Sequence, residues 1–450
     1  MAKPTPLSGF PEFLPAQRFV EQQVIATLAH TFELHGFANL ETRAVEPMDQ
    51  LLAKGETSKE VYVLKRLQDT GDGDAGGPGF GLHFDLTVPF ARYVMENAGR
   101  LEFPFRRYQI QKVWRGERPQ AGRFREFTQA DIDIVGRDSL GFHHDVEVAR
   151  VMAEALGKLA FLPGFRIQVN NRKLIQGFYA GLGAADPLKV MQLVDKLDKM
   201  PAEKVGELLV SDAGLDEKQA ELTLALAQIA TTDTSFVDAV RALGVEHPLL
   251  DEGLAELAAV IEGCADINDD RSNDIKVVAD LSIARGLDYY TGTVFETRLD
   301  GFESLGSICS GGRYDSLASD GRSTYPGVGI SFGVSRTLVP LLSDGVVTAS
   351  RSVPSAVLIA LTDEESRPAA DATAQQLRAH GVATEVAPKA DKFGKQIKYA
   401  EKRGIPYVWF ATADGDQVKD IRSGDQVAAD AATWQPPVED LRPTVVSSDN

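Results

Sequence analysis

A block of helical periodicity interrupts a chain that is strand-like on both sides, and this order of patterns constrains the fold more than any other feature. The strand-like segments are residues 105–114 and 129–135 before the block, and 275–281, 293–298 and 307–309 after it. From Pro187 onward the apolar residues recur at helical spacing instead, as in Leu188, Met191, Val194 and Leu197. We therefore predict a core built from residues 1–183 and 267–342, with residues 184–266 inserted as helices.

Shorter elements precede this core pattern. Residues 15–34 have the apolar spacing of an amphipathic helix, which Gly36 ends, and a strand-like run continues to Pro47. Residues 61–67 and 82–86 alternate like strands, joined by the Gly/Asp-rich stretch 71–81. That stretch lacks the Gly-Lys-Ser/Thr of a phosphate-binding loop and is predicted to be a hairpin tip.

The carboxyl-terminal part has a different organisation. From residue 328 a strand leads into a helix, and the Ser/Thr/Gly-rich residues 343–355 are predicted to be a linker. Strand and helix patterns then alternate, which predicts a small α/β domain over residues 356–437. Residues 438–450 are expected to be a frayed tail.

Composition narrows the class of protein. No apolar stretch approaches a membrane span, and the first residues lack a signal-peptide pattern, so we expect a cytoplasmic protein with no membrane partner. The only cysteines, Cys264 and Cys309, form no CxxC pair, and the seven histidines form no HExxH motif. Neither a disulfide framework nor a metal site is predicted.

Charge is segregated along the chain, although the formal net charge is −18. Residues 104–126 contain seven basic and two acidic residues, and residues 389–403 contain six and two. The predicted insertion, in contrast, contains six basic and seventeen acidic residues. Two basic segments that could contact nucleic acid are therefore present in an acidic protein.

The first basic segment has the chemistry of a nucleotide site. Trp114, Arg115 and Glu117 close one strand, and Arg123 and Phe127 open the next. Guanidinium groups can hold a phosphate bidentately, and an aromatic ring can stack on a planar base. The segment alone fits a solvated basic turn equally well.

The order of these residues is similar to the second motif of the class II aminoacyl-tRNA synthetases, which is aromatic-Arg-x-Glu, a variable loop, and Arg-x-x-x-Phe. Residues 15–47 resemble the first motif of that class, which builds a dimer interface, and residues 327–336 resemble the third. The third motif usually has Glu before its arginine, where this chain has Ser335 before Arg336. The resemblance implies an antiparallel sheet flanked by helices, within a mixed α/β chain.

Further segments resemble the histidyl-tRNA synthetases in particular. Residues 285–296 and 310–315 are similar to the two histidine-specific signatures of that family, and residues 85–92 and 419–424 extend the match along the chain. The resemblance implies activation of L-histidine with ATP, transfer to tRNA(His), a homodimer, Mg²⁺ bound with ATP, and an anticodon-binding carboxyl-terminal domain.

Site residues follow from the same resemblance. The positions that match histidine-binding residues are Asp85, Thr87, Arg115, Gln129, Asp133, Arg285, Tyr289, Tyr290 and Tyr314. The positions that match ATP-binding residues are Arg115, Glu117, Arg123, Phe127 and Arg336. Arg285 and Arg115 are the implied catalytic arginines. The candidate tRNA contacts are Lys392, Lys395, Lys398 and Arg422.

Several of these residues also fit a purely structural role, and the whole chain fits a second function. Asp85 and Asp133 could be turn or strand-edge carboxylates, the tyrosines half-buried core residues, and the lysines a solvated helix face. A regulatory paralogue from histidine biosynthesis shares the same core and does not charge tRNA. Such paralogues lack the carboxyl-terminal domain and part of the arginine signature, and both are present here.

Overall fold

The structure is a computed structural model that describes residues 5–52, 60–65, 79–120, 122–283, 290–316, 318–319, 321–412 and 415–447. The chain divides into two compact units. The first comprises Met1–Pro11 and Val24–Pro340, and the second comprises Glu12–Gln23 and Leu341–Asn450. No helix in the described ranges is long and apolar enough to cross a membrane.

A mixed sheet forms the centre of the first unit, and nine of its strands lie in the described residues. In spatial order they are β1 (Ala38–Asn39), β5 (Phe105–Trp114), β6 (Glu126–Val135), β12 (Gly327–Gly333), β11 (Cys309–Tyr314), β10 (Thr293–Leu299), β7 (Phe165–Asn171), β9 (Ile275–Asp280) and β8 (Ala230–Thr231). The pairs β1·β5 and β7·β9 are parallel and the others antiparallel. This confirms the predicted antiparallel core.

A smaller sheet lies in the same unit, with the order β2 (Val45–Pro47), β4 (Phe80–Leu82) and β3 (Val63–Leu64). The predicted strand at 82–86 is therefore wrong in position, because the strand ends at Leu82 and residues 83–86 lead into a helix. The predicted strand at 307–309 is also displaced, since β11 begins at Cys309 and contains most of the second signature. The hairpin tip predicted for residues 71–81 lies mostly outside the described residues.

Twelve helices are described from the amino terminus to residue 343. They are α1 (Pro15–Leu34), α2 (Met48–Leu52), α3 (Thr87–Asn97), α4 (His143–Gly157), α5 (Arg172–Gly181), α6 (Pro187–Val194), α7 (Ala202–Ser211), α8 (Glu217–Ala227), α9 (Phe236–Arg241), α10 (Pro248–Gly263), α11 (Ala265–Asp269) and α12 (Val334–Ser343). Helix α1 has the bounds that its periodicity predicts.

The acidic helical block belongs to the first unit. Helix α10 packs on α5 so closely that a Cβ atom at Gly177 would overlap the backbone of Leu250, and one at Gly253 would overlap Leu174. Strand β8 of the block also pairs with β9 of the central sheet. Of the apolar residues at helical spacing in α6, Met191 and Val194 are buried together with Val190 and Leu193, whereas Leu188 is 54% exposed.

Strand β6 is buried on both faces, and this arrangement positions the candidate site. Ala130, Ile132 and Ile134 are fully buried on one face, as expected for a strand in an apolar core. The opposite face carries polar side chains, of which Asp131 and Asp133 are 2% and 3% exposed. Buried polar side chains on a central strand require local partners or a ligand.

The second unit contains a five-stranded sheet in its described residues. Its elements are β14 (Val357–Ile359), α13 (Arg367–Ala379), β15 (Thr384–Val386), α14 (Phe393–Arg403), β16 (Tyr407–Phe410), β17 (Gln417–Asp420) and β18 (Gln426–Ala428), and the strand order is β15-β14-β16-β17-β18. Strands β15, β14 and β16 are parallel, which requires crossover helices. The α/β pattern predicted for residues 356–437 is confirmed.

The segments predicted to be a linker and a frayed tail contain structure. Strand β13 (Val347–Ala349) lies within 343–355 and pairs with β19 (Val445–Ser447). Between them in sequence, Asp440 is 8% exposed and accepts hydrogen bonds from Tyr407 and Arg422. Both expectations are wrong for these residues because a non-local strand pair orders them. The exact domain boundaries stay predictions.

Candidate active site

The floor of the site is the polar face of β6, on which Phe127, Gln129, Asp131 and Asp133 alternate with buried apolar residues. Strand β12 lies beside it, and two glycines of the third motif give these side chains room. A Cβ atom at Gly329 would overlap Asp133 Oδ1, and one at Gly327 would overlap the ring of Tyr314. The glycines of the third motif therefore serve the polar pocket.

Asp133 and Tyr314 are in direct contact at the inner end of this pocket. The Tyr314 hydroxyl donates to Asp133 Oδ1 at 2.8 Å, and the other carboxylate oxygen lies 2.6 Å from Arg107 Nη2. Burial raises the pKa of Asp133, and Arg107 and Tyr314 oppose that rise. Burial also raises the pKa of Tyr314, so its hydroxyl stays a hydrogen-bond donor at neutral pH.

Asp85 and Thr87 lie where α3 begins. Asp85 Oδ1 accepts a hydrogen bond from the Val88 backbone N–H at 3.1 Å, whereas Oδ2 has no hydrogen-bond partner among the described residues. Burial raises the pKa of Asp85 to about 6. A cationic ligand group beside Oδ2 would favour the ionised form.

Two charged residues that sequence reasoning missed complete this pocket. Arg107, counted there in a basic segment, is fully buried, and its guanidinium lies 4.3 Å from the centre of the Phe90 ring. Asp131 Oδ2 lies 4.0 Å from Arg107 Nη2, and burial raises the pKa of Asp131 to about 7. The alternation of polar residues at 129, 131 and 133 on a buried strand is the signal that could have found Asp131.

A cavity of about 300 Å³ adjoins the pocket, and the predicted nucleotide residues line it. They are Arg115, Glu117, Arg123, Phe127 and Arg336, and Gln129, which was predicted to bind histidine, lines the cavity as well. The Arg115 guanidinium lies 5.2 Å from the centre of the Phe127 ring, and its Nε donates to the Phe84 carbonyl at 2.9 Å. Arg123 Nη1 lies 3.4 Å from Glu117 Oε2. The structure thus brings together all five residues predicted to bind ATP.

Arg336 is held differently from what the third motif implies. Its Nε and Nη2 donate to the Leu305 carbonyl at 2.9 and 2.6 Å. Ser335 Oγ instead accepts from the Thr128 backbone N–H at 2.9 Å, which ties α12 to β6. Burial, followed by the proximity of Arg123, lowers the pKa of Arg336. Such a cluster of guanidinium groups is suited to a polyanion.

The histidine-specific signatures are described in part. Arg285 and Tyr289 lie outside the described residues. Tyr290 is half-buried, and its ring covers Gly312 so closely that a Cβ atom there would lie 2.8 Å from Tyr290 Cδ1. Tyr290 and Tyr314 therefore lie near one another, as expected for residues that face one ligand ring.

Comparison with known proteins gives the family. The family model of histidyl-tRNA synthetases matches residues 9–337, and a model of an anticodon-binding domain matches residues 355–425. The chain belongs to the histidyl-tRNA synthetase family. It is 59% identical to a histidine–tRNA ligase of Cutibacterium acnes over 100% of both chains, and 58% identical to one of Micrococcus luteus over 99% of both.

Two solved structures agree with this fold. A histidyl-tRNA synthetase from Nostoc sp. superposes with a TM-score of 0.82 at 33% identity, covering 95% of this chain and 97% of that one. A Bacillus halodurans protein described as an ATP phosphoribosyltransferase regulatory subunit/histidyl-tRNA synthetase superposes with a TM-score of 0.70 at 20% identity, covering 88% of this chain and 97% of that one. At that identity the second match supports the fold alone.

The second unit carries the side chains predicted to contact tRNA. Lys392, Lys395 and Lys398 are exposed at the start and along one side of α14, and Lys395 Nζ lies 3.1 Å from Asp391. Arg422 Nη2 lies 2.8 Å from Asp420 and 2.6 Å from Asp440. The charge of Arg422 is therefore compensated within the unit, whereas Lys392 and Lys398 have no ion pair among the described residues.

Proposed function

We propose that this chain, a ligase of the histidyl-tRNA synthetase family, uses ATP to convert L-histidine to histidyl-adenylate on β6, releasing pyrophosphate, and then charges tRNA(His). The observation that carries the proposal is that one strand connects two different sites. Its inner end holds the buried carboxylates of the amino-acid pocket, and its outer end holds the arginine-lined cavity. An enzyme that joins an amino acid to a nucleotide needs both sites side by side.

The inner pocket suits histidine. Asp85, with Thr87 beside it, would hold the ammonium group, and Gln129 and Arg115 would hold the carboxylate. Tyr290 and Tyr314 would face the imidazole. A pocket built from buried polar groups rejects amino acids that leave those groups unpaired, by about 10⁴ to 10⁵ where a hydrogen-bonding side chain is missing. This discrimination requires no separate editing site.

The outer cavity suits ATP. Phe127 would stack on adenine with Glu117 near its amino group, Arg115 would contact the α-phosphate, and Arg123 and Arg336 would contact the outer phosphates. The histidine carboxylate attacks the α-phosphorus, the bond to the β-phosphate oxygen breaks, and pyrophosphate leaves. Fixed guanidinium groups stabilise the charge that develops in this step. Arg285 is proposed to act beside Arg115 in that role.

Mg²⁺ is proposed to accompany ATP. Among the described residues there is no cluster of three or more side chains that could hold a metal ion. Mg²⁺ bound through phosphates needs only one or two protein carboxylates, and the Glu60 side of the cavity could supply one. The ion would neutralise charge on the outer phosphates.

The second step would use the whole chain. The terminal ribose hydroxyl of tRNA(His) attacks the adenylate carbonyl, and AMP leaves. We propose that residues 356–437 bind the anticodon through Lys392 and Lys398, with Lys395 and Arg422 contributing less because their charges are paired. We also propose that the enzyme acts as a homodimer in the cytoplasm.

Direct charging tests the proposal. Purified protein with ATP and a tRNA(His) transcript should attach labelled histidine, and a transcript of another tRNA should accept none. A homogeneous preparation that binds histidine and nucleotide without charging the transcript would instead support the regulatory alternative. Light scattering on the same preparation tests the homodimer.

A further inference from the structure

One buried acidic side chain in the amino-acid pocket has no assigned role. Asp131 lies on β6 between Gln129 and Asp133, and its side chain points to the same face as theirs. It is 2% exposed. Gln129 and Asp133, on either side of it in the sequence, match histidine-binding positions of the family, whereas Asp131 matches none.

Hydrogen-bond partners distinguish Asp131 from Asp133. Both oxygens of Asp133 are engaged within the protein, Oδ1 with the Tyr314 hydroxyl and Oδ2 with Arg107. The Asp131 carboxylate has a side-chain hydrogen bond with Ser331 of β12, and its Oδ2 lies 4.0 Å from Arg107. Its Oδ1 has no hydrogen-bond partner among the described residues. A buried acceptor without a donor costs free energy, which a ligand donor would recover.

The charge balance of the pocket supports the same conclusion. Asp85, Asp131 and Asp133 are all at most 5% exposed, and Arg107 is the guanidinium that lies within 4 Å of two of them. In the part of the chain that the structure describes, three buried carboxylates therefore share the fully buried Arg107, and the half-buried Arg115 also acts on Asp85. A ligand that brings hydrogen-bond donors and positive charge would stabilise the ionised pocket.

The direction along β6 indicates which donor reaches Asp131. Gln129 borders the arginine-lined cavity, whereas Asp133 holds the hydroxyl of Tyr314 at the inner end. Asp85 lies at the start of α3, and its Oδ2, which has no hydrogen-bond partner within the described ranges, is available for the ammonium group. Asp131 lies on the same face between these two positions and shares Arg107 with Asp133, so it is closer to the inner end of the pocket than Gln129 is.

We propose that Asp131 is a further specificity-determining residue, whose Oδ1 accepts a hydrogen bond from the imidazole N–H of histidine. Asp133 then acts as a positioning residue that orients Tyr314. This inference rests on the proposed function. It makes the pocket selective for a five-membered ring that carries an N–H group.

A comparison of two amino acids tests the inference. Histidine carries a ring N–H, and 2-thiazolylalanine has a similar ring without one. Calorimetry with the full-length protein should show that Asp131→Ala weakens histidine binding about 10- to 100-fold, which is the range for a hydrogen bond to a charged group. The affinity for 2-thiazolylalanine should change less than about threefold. Asp131→Asn retains an acceptor oxygen and should lie between wild type and Asp131→Ala.

A double-mutant cycle provides the control. Asp133→Ala and Tyr314→Phe should affect histidine affinity non-additively, because each removes the same contact. Asp131→Asn combined with Tyr314→Phe should be close to additive. Melting curves of every variant identify any that fail to fold, and Asp131→Asn is the variant used if Asp131→Ala does.

The outcomes separate this inference from the proposed function. Equal losses for both amino acids would show that Asp131 contacts a group that they share, and would overturn the imidazole assignment. Unchanged histidine affinity in both Asp131 variants would give Asp131 a purely structural role. If the wild-type protein does not bind histidine at all, the proposed function itself fails.

Discussion

In the absence of ligands, the free energy of unfolding of Asp131→Asn should increase relative to that of wild type as the pH rises. Burial raises the pKa of this carboxyl group to about 7, from an ordinary value of 3.8. The folded chain therefore binds a proton on Asp131 between about pH 4 and 7, where the unfolded chain has already lost it. Wild-type stability consequently falls as pH rises through this window, and asparagine removes that dependence.

The size of this change in unfolding free energy depends on the number of pH units in which the folded chain binds the proton and the unfolded chain does not. Each pH unit in which the folded chain alone carries the proton corresponds to about 1.36 kcal/mol. Between pH 5.5 and pH 8 that condition holds for about 1.5 units, up to the pKa of about 7. The difference in unfolding free energy between Asp131→Asn and wild type should therefore shift by about 2 kcal/mol in favour of the variant.

Urea unfolding at equal protein concentration measures this shift without ligands. The second unit is identical in both proteins and cancels in the comparison, as does any packing cost of asparagine that is independent of pH. Asp238→Asn, at an exposed position on α9, is the control for a surface carboxylate. A difference that is the same at both pH values would refute the reasoning, because Asp131 would then not titrate in this range.

Four further changes test other parts of the account. Arg285→Ala should slow single-turnover adenylate formation by about 10² to 10³ while calorimetry shows histidine still bound, and Arg285→Lys should rescue only partly. Asp133→Ala should raise the KM for histidine in pyrophosphate exchange, because Tyr314 loses its acceptor; an unchanged KM would assign Asp133 a structural role only. Gly329→Ala should lower the melting temperature and weaken histidine binding, because its Cβ would overlap Asp133 Oδ1. Removing residues 344–450, which include both β13 and β19, should spare adenylate formation but nearly abolish tRNA charging; equal charging by the shortened chain would contradict the anticodon assignment.

Elements with long and regular patterns could be predicted from the sequence. Helix α1 and strand β5 have the predicted bounds, because twenty residues of helical spacing and ten strand-forming residues each specify one local structure. The nucleotide residues were also predictable, since their order along two neighbouring strands resembles a family motif. The structure then shows them around one cavity.

Features that depend on non-local contacts could not be predicted. The three-residue strands β13 and β19 are far apart in the sequence and form because they pair with each other. Neither strand has a sequence pattern that would predict it alone. Arg107 looked like a surface charge because charged residues are mostly exposed, whereas only the register of β5 against β6 brings it to Asp133. Asp131 differs in this respect, because the alternation of polar residues at 129, 131 and 133 within one strand is a local signal that could have identified it.

The structure was also needed to explain how Arg336 is held when Ser335 replaces the usual glutamate of the third motif. Ser335 is 3% exposed and accepts a backbone hydrogen bond from β6, and the Leu305 carbonyl holds Arg336. The arginine thus has a fixed position without a neighbouring glutamate. No local sequence pattern identifies a carbonyl thirty-one residues away as its partner.

Amino-acid-dependent exchange of labelled pyrophosphate into ATP tests the central claim most directly. The assay reports the step in which β6 would bring histidine and ATP together, and it needs neither tRNA nor the second unit. With each of the twenty amino acids supplied separately, we expect exchange with histidine alone, and its loss in Arg115→Ala. Exchange that depends on another amino acid, or no exchange with histidine in a folded preparation, would contradict the account.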